Sequence, residues 1–102
     1  MNAQYNSFNV LFCSVGRRVE LLRSFRRAYD ALGLTGKIIA VDIDPLAPAL
    51  QVADVCYIVP RLQSTEYIPT LTRICRHEEV RLIFPLIDPD IPLLAQNRRS
   101  LE

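Results

Sequence analysis

Four short apolar runs divide the chain, and each run ends in a polar turn. They predict four strands, at Asn9–Cys13, Ile38–Val41, Val55–Val59 and Leu82–Leu86. The runs are largely continuous and rich in β-branched residues, which is typical of strands that are covered on both faces. The pattern therefore predicts a parallel sheet buried between two layers of helices.

Helical periodicity fills the segments between the strands. Apolar residues recur at helical spacing from Val19 to Leu32, and Gly33 supplies a C-cap. On the polar side of this helix, Glu20 and Asp30 are placed to pair with the arginines Arg23, Arg26 and Arg27. Further helical segments follow the later strands: about 46–53, a helix capped by Ser64 or Thr65, and Ile91–Asn97, with Asp88 as its cap and Pro89 at its first position.

Strands that alternate with helices through short connections predict right-handed crossovers and hence an α/β fold, a doubly wound three-layer sandwich. We predict a four-stranded parallel sheet in the order 3-2-1-4. The strand order then reverses between the first and fourth strands, where such folds bind ligands. The loops 14–18 and 86–90 should face each other across that crevice, with residues 42–44 beside them.

The candidate site residues are the polar residues of these loops: Ser14, Gly16, Arg17, Arg18, Asp42, Asp44, Asp88 and Asp90. A turn that leads from a strand into a helix offers free N–H groups to a carboxylate or phosphate. Gly16 would let the backbone approach such a ligand, and Arg17 or Arg18 could pair with it bidentately. Equally open is the interpretation that Gly16 permits a tight turn and the arginines are solvent-exposed. The ligand that fits the first interpretation is a small anionic substrate.

The acidic residues of the second and fourth loops favour capping over metal binding. Asp44-Pro45 and Asp88-Pro89 are typical of turns and helix caps, so no metal site is predicted. The single histidine, His77, is expected on the surface near the end of a helix, away from these loops. No nucleophile can be paired with a base, and no catalytic residue is assigned.

A dinucleotide site is the alternative function. The phosphate-binding pattern G-x-G-x-x-G would fall on Ser14, Gly16 and Val19, so only its middle glycine is present. Asp42 does stand at the end of the second strand, where such folds place a ribose-binding acid. A freestanding nucleotide- or dinucleotide-binding regulatory module therefore stays open.

The composition of the chain limits the binding partners and the cellular compartment that we expect for it. The chain has 102 residues, 50% of them hydrophobic, and a net charge of +1, which argues against nucleic acid and membrane surfaces as partners. No apolar stretch approaches the roughly 18 residues of a membrane span. The cysteines Cys13, Cys56 and Cys75 lack metal-binding spacing, and we expect reduced thiols that serve as small buried hydrophobes in a cytoplasmic protein.

A resemblance to a known family rests on three stretches, residues 9–18, 42–50 and 85–98, with support from Ala53-Asp54 and Tyr57–Pro60. Together they resemble the N-terminal domain that precedes the catalytic fold of ATP-grasp ligases, specifically of proteins similar to the carbamoyl-phosphate synthase large subunit. The similarity extends from about Phe8 to Arg98. It implies a Rossmann-like pre-ATP-grasp domain at residues 1–100, and the final 101–102 resemble the remnant of an expression tag.

What the resemblance implies is ligation, in which ATP phosphorylates a carboxylate and an amine or thiol then attacks the acyl phosphate. The turns after the first, second and fourth strands match the family at Gly16 and Arg17, at Asp42 and Asp44, and at Asp88 and Asp90. These would be substrate-facing or interdomain positions. Asp90 stands where similar proteins more often carry Glu, which has a longer reach.

The resemblance also implies partners for this domain. ATP and Mg²⁺ are expected in the full-length parent, bound by C-terminal ATP-grasp domains of the same chain, and no cofactor is expected in this fragment. The fragment alone should therefore not catalyse the ligation. The apolar surface that those domains would cover could otherwise pair two copies in a homodimer.

Overall fold

A computed structural model describes residues 7–86 and 90–101 of the chain. Its elements, in chain order, are β1 (Asn9–Cys13), α1 (Val19–Leu32), β2 (Ile38–Asp42), a 3-10 helix (Pro48–Val52), β3 (Val55–Ile58), α2 (Tyr67–His77), β4 (Val80–Pro85), α3 (Asp90–Gln96) and α4 (Arg98–Leu101). Strands and helical segments alternate as the sequence predicted.

The strands form one four-stranded sheet in the order β3-β2-β1-β4, and every neighbouring pair is parallel. Phe12 of β1 lies opposite Ala40 of β2 and Phe84 of β4. The two inner strands are buried along their whole length, whereas the edge strands are only partly covered. The α/β fold and the predicted strand order are both confirmed.

Helices cover the two faces of this sheet with separate cores. On one face, Leu22 of α1 and Ala49 of the 3-10 helix pack with Phe12 of β1. The ring of Phe12 meets Phe25 edge-on at 4.8 Å and stacks on Phe84 at 5.0 Å. On the other face, Leu71 and Tyr67 of α2 cover Leu11 and its neighbours on the sheet. Both cores contain side chains of the inner strands, which explains why their apolar runs are continuous.

Several predicted boundaries and caps need correction. Gly33 is the C-cap of α1, with a left-handed φ of 68°, as predicted. The helix predicted for 46–53 is a shorter 3-10 helix, and β4 begins before Leu82, at Val80. The predicted cap of α2 by Ser64 or Thr65 is wrong, because the cap position is Glu66 and no side chain caps it.

The predicted pairing of the α1 arginines is also partly wrong. Arg23 does pair with Glu20, at 3.2 Å, and Arg27 donates to the hydroxyl of Ser24. Arg26 instead reaches across to Asp54, the residue before β3, and not to Asp30. The same Asp54 oxygen accepts the backbone N–H of Ile38 at 2.7 Å, so this carboxylate ties α1 and β3 to the first residue of β2.

The cysteines differ in their surroundings. None of the three cysteines, all of which lie in the described ranges, forms a disulfide, and Cys13 and Cys75 are buried as predicted. Cys56 is exposed on the edge strand β3, so the prediction of a buried hydrophobe is wrong there.

Within the described ranges, none of the helices has both the length and the apolar character that crossing a bilayer requires.

Candidate functional site

The turn after β1 has an unusual backbone. Ser14 and Gly16 both have positive φ angles, 56° and 52°, on either side of the buried Val15. Glycine adopts such angles without a steric penalty, whereas serine does so at some cost. These angles turn the chain sharply from the end of β1 toward the first residue of α1.

Asp42, the last residue of β2, holds this turn in place. Its Oδ2 accepts the backbone N–H of Gly16 at 2.8 Å, and its Oδ1 accepts the N–H of Asp44 at 2.9 Å. The residue is only 9% exposed. The backbone amide that the sequence offered to a ligand is therefore occupied by a carboxylate of the chain itself.

The 3-10 helix and β2 hold the same turn through the main chain. Ala49 donates its N–H to the carbonyl of Gly16 at 3.0 Å, and Val15 donates to the carbonyl of Val41 at 3.3 Å. Both partners lie in segments packed beside β1. Hydrogen bonds from two directions therefore fix the backbone of the turn.

An open cleft of about 460 Å³ lies at this edge of the sheet, among the loops that follow β1, β2 and β3. Its lining residues are Ser14, Gly16, Arg18, Asp42, Ile43, Arg61, Leu62 and Gln63. Small-molecule sites commonly have this size and lie at the carboxyl edge of parallel sheets. This cleft lies beside β1, β2 and β3, and not at the reversal between β1 and β4 where the sequence placed the ligand site. The structure thus brings together Ser14, Gly16, Arg18 and Asp42 of the candidate residues.

Arg17 and Asp44 do not line the cleft, and the predicted facing of loops 14–18 and 86–90 depends on residues 87–89, which lie outside the described residues. Arg17 is exposed in the turn. Asp44 accepts the N–H of Leu46 at 2.9 Å, which is the turn-capping arrangement favoured by its sequence context. Asp88 lies outside the described residues, and so does the side chain of Asp90, which is the first residue of α3.

The sequence reasoning missed Arg61 and Gln63. Both follow β3, and the carboxyl end of β3 lies at the same edge as those of β1 and β2 because the strands are parallel. The signal was present in the sequence, since the rule that selected the first two loops applies equally to a polar loop after the third strand.

The start of α1 leaves cationic groups near the cleft. Arg18 occupies the N-cap position of α1, and no side chain caps this helix. Its guanidinium donates one long hydrogen bond, 3.4 Å, to the carbonyl of Ser14. The side chain is exposed, so most of its five N–H donors face solvent.

A second polar cluster lies at the opposite edge of the sheet. The buried carboxylate of Glu78 accepts the phenol of Tyr57 and the ammonium of Lys37, the latter at 3.2 Å. The Tyr57 hydrogen bond, with help from Lys37, holds the pKa of Glu78 below its ordinary value, and the same bond raises the pKa of Tyr57. The side-chain amide of Asn9 donates to the backbone carbonyl of Glu78 at 2.7 Å. These partners come from all parts of the sheet, so the cluster ties the fold together.

Metal-binding chemistry finds no support in the described residues. Within 7–86 and 90–101, no three His, Cys, Asp or Glu side chains are grouped so that they could hold an ion. His77 is exposed at the last residue of α2, at the edge opposite the cleft, as the sequence suggested.

Comparison with known protein families identifies a family that matches most of the chain. The family described as PylC-like, N-terminal domain, matches residues 10–102. That range includes all four strands except Asn9 and contains every residue that lines the cleft. Among curated proteins, none matches the chain at a significant level.

Proposed function

Because the chain belongs to the family of PylC-like N-terminal domains, a family of ATP-grasp pre-domains, we propose that it is the substrate-side domain of an ATP-dependent ligase. An N-terminal domain of this kind implies further domains in the same chain. The observation that carries the proposal is the cleft formed by the loops after β1, β2 and β3, with Arg18, Arg61 and Asp42 in its wall.

The proposed reaction is the joining of a carboxylate to an amine or a thiol. A carboxylate oxygen attacks the γ-phosphorus of ATP, ADP leaves, and the nucleophile then displaces phosphate from the acyl phosphate. ATP and Mg²⁺ would be bound by the ATP-grasp domains, while residues 1–100 would help to hold an anionic substrate beside them. We assign no catalytic residue to this domain.

A narrower proposal concerns the kind of ligase. The stretches 9–18, 42–50 and 85–98 support a parent enzyme similar to the carbamoyl-phosphate synthase large subunit. In that arrangement, the candidate residues Ser14, Gly16, Arg17, Arg18, Asp42, Asp44, Asp88 and Asp90 would face substrate or the ATP-grasp domains.

The full-length parent tests the reaction. ADP release in the presence of ATP, Mg²⁺ and a panel of carboxylates should require both a carboxylate and an amine or thiol. Asp42→Asn should raise the KM for the carboxylate while leaving the KM for ATP unchanged, because the turn that it anchors faces the cleft. Asp30→Asn, an exposed change of equal charge on α1, is the control. ADP release that is independent of a carboxylate, or an Asp42→Asn effect on ATP alone, would contradict the proposal.

The alternative, a nucleotide-binding regulatory module, is tested on the isolated chain. Asp42 stands where a ribose-binding acid is expected, but both of its oxygens already accept backbone N–H groups. That arrangement favours the ligase proposal. Calorimetric titration with NAD, ATP and AMP decides between the two, since sub-millimolar binding by the isolated chain would support the regulatory module.

A further inference from the structure

We propose that Arg18 and Arg61 form a two-sided clamp for an oxyanion in the cleft above Asp42, and that the group bound there is a carboxylate or a phosphate. The assignment of that group to a ligase substrate rests on the proposed function. The clamp itself rests on the geometry and charge of this edge of the sheet.

The strand order places the two arginines on either side of Asp42. Because β2 lies between β1 and β3, the loop that Asp42 begins is flanked by the loop that carries Arg18 and by the loop that carries Arg61. All three residues line the same cleft. Two guanidinium groups can therefore approach one ligand from two different loops, which a single helix N-terminus cannot achieve.

Both guanidinium groups have donors to offer. The side chain of Arg61 is exposed and makes no hydrogen bond or ion pair within the described ranges, and Arg18 makes only its long bond to the carbonyl of Ser14. Guanidinium donors arranged as a planar fork match the oxygens of a carboxylate or phosphate. The carboxamide of Gln63, in the same wall, adds further donors.

The charge of the cleft selects an anion. Arg18 and Arg61 supply two positive charges, and the one carboxylate in the wall, Asp42, is held by the Gly16 and Asp44 amides. The two amide hydrogen bonds fix the position of Asp42 in the wall, and its single negative charge leaves one positive charge of the two arginines in excess. The excess positive charge would repel a cationic ligand, whereas it would attract an oxyanion and be neutralised by it.

Titration of the 102-residue chain with inorganic phosphate and with acetate, at constant ionic strength, tests the clamp. Two-dimensional NMR should show saturable shifts of the backbone amides of Arg18, Arg61 and Gln63. Arg18→Gln and Arg61→Gln should each weaken binding about tenfold, the loss expected for one charged hydrogen-bonded contact. Comparison of the phosphate and acetate titrations identifies which oxyanion the cleft prefers.

Arg27→Gln is the matched control. It removes the same charge from α1, its guanidinium donates only to Ser24, and it does not line the cleft. Binding should change less than about twofold in this variant. Equal weakening by Arg27→Gln, shifts that do not saturate, or shifts at other sites would overturn the clamp. Thermal unfolding of each variant identifies any loss that comes from unfolding.

The clamp and the proposed function can fail separately. Oxyanion binding that depends on both arginines in the isolated chain, with no carboxylate-dependent ADP release by the parent, would retain the clamp and reject the ligase. Ligase activity without oxyanion binding, and with KM values that are unchanged by Arg61→Gln, would reject the clamp alone.

Discussion

The backbone amide of Gly16 and the carboxylate of Asp42 lie 2.8 Å apart, which joins the turn after β1 to the end of β2. This contact satisfies, from within the chain, the donor that a phosphate-binding turn would present to its ligand. Recognition of an anion at this edge then depends on side chains, and the arginines of the two flanking loops are the groups that can supply it.

Replacement of Asp42 should destabilise the fold as well as the site. Both carboxylate oxygens of Asp42 accept backbone N–H groups, and Asp42→Asn replaces one of them with an NH2 group that cannot accept, so the free energy of unfolding should fall by about 1 to 3 kcal/mol. Urea denaturation measures the loss, and the amide proton of Gly16 should shift upfield as its hydrogen bond weakens. The control, Asp30→Asn, should change stability by less than about 0.5 kcal/mol. Equal effects of the two changes would contradict the role of the Gly16 contact.

The glycines Gly36 and Gly33 should respond very differently to alanine. A Cβ on Gly36 would lie 2.4 Å from the carbonyl oxygen of Phe8, at a φ of +146°, whereas a Cβ on Gly33 would meet no atom within 4 Å. Gly36→Ala should therefore cost more than about 3 kcal/mol or prevent folding, because steric overlap adds to backbone strain. Gly33→Ala, with strain alone, should cost about 1 to 2 kcal/mol. Chemical denaturation of both variants checks the order, and a milder effect at Gly36 would refute this packing argument.

Asp54 should matter as a hydrogen-bond acceptor more than as a charge. Its ion pair with Arg26 is more than one-third exposed on both sides, so Arg26→Ala should cost at most about 1 kcal/mol. Asp54→Ala should cost about 1 to 3 kcal/mol, because the N–H of the buried Ile38 loses its partner. Asp54→Asn keeps an acceptor and should resemble Arg26→Ala in denaturation experiments. If Asp54→Asn proved as damaging as Asp54→Ala, the charge would be the main contribution.

The Glu78–Tyr57 contact predicts how stability varies with pH. The pKa of Glu78 is lowered from 4.5, so its contribution is complete above that value and is lost as the pH falls through the lower pKa of the folded state. The pKa of Tyr57 is raised from 10.0, so its contribution is complete below 10.0 and is lost as the pH rises through the higher folded value. The stability difference between the natural chain and Tyr57→Phe should therefore be greatest between these limits.

Thermal unfolding across the pH range measures this difference. Glu78→Gln should remove the acid-side loss, whereas Glu79→Gln, an exposed neighbour, should leave it in place. A stability difference for Tyr57→Phe that stays constant from pH 3 to pH 11 would show that the contact does not titrate as proposed.

Thiol reactivity should separate the cysteines. Cys56 is exposed and should react rapidly with a disulfide reagent in the native chain, while Cys13 and Cys75 are buried. Burial also raises the pKa of the Cys75 thiol to about 11, so little of the reactive thiolate forms at neutral pH. Cys56→Ser should abolish the rapid phase, and denaturant should expose the remaining two thiols. Rapid labelling of Cys75 in the native chain would contradict its burial.

Local patterns in the sequence were sufficient for much of the fold. The continuous apolar runs of β1 and β2 follow from burial on both faces, and the alternation of strands and helices predicts a parallel sheet. Gly33 was predictable as a cap because a left-handed residue is needed where α1 ends. The predicted cap at Ser64 was wrong because the chain makes a further turn there, in which the N–H of Tyr67 donates to the Ser64 carbonyl as α2 begins.

The candidate site was likewise predictable from the sequence only in part. The rule that loops follow parallel strands at one edge led to Ser14, Gly16, Arg18 and Asp42, and it applies to Arg61 as well. The partner of each group could not be read from its neighbours in sequence. Gly16 and Asp42 are 26 residues apart, and the Asn9 side chain finds the Glu78 carbonyl 69 residues away.

The sequence by itself determined the type and order of the elements and the edge at which the polar loops gather, because burial and chain connectivity act locally and leave a periodic pattern. Only the tertiary structure decided that Asp42 accepts a hydrogen bond from the Gly16 amide and that Arg26 pairs with Asp54. Those contacts depend on the register between strands and on how α1 sits on the sheet. An apolar run without alternation does not specify the register, because shifting it by one residue still buries apolar side chains on both faces.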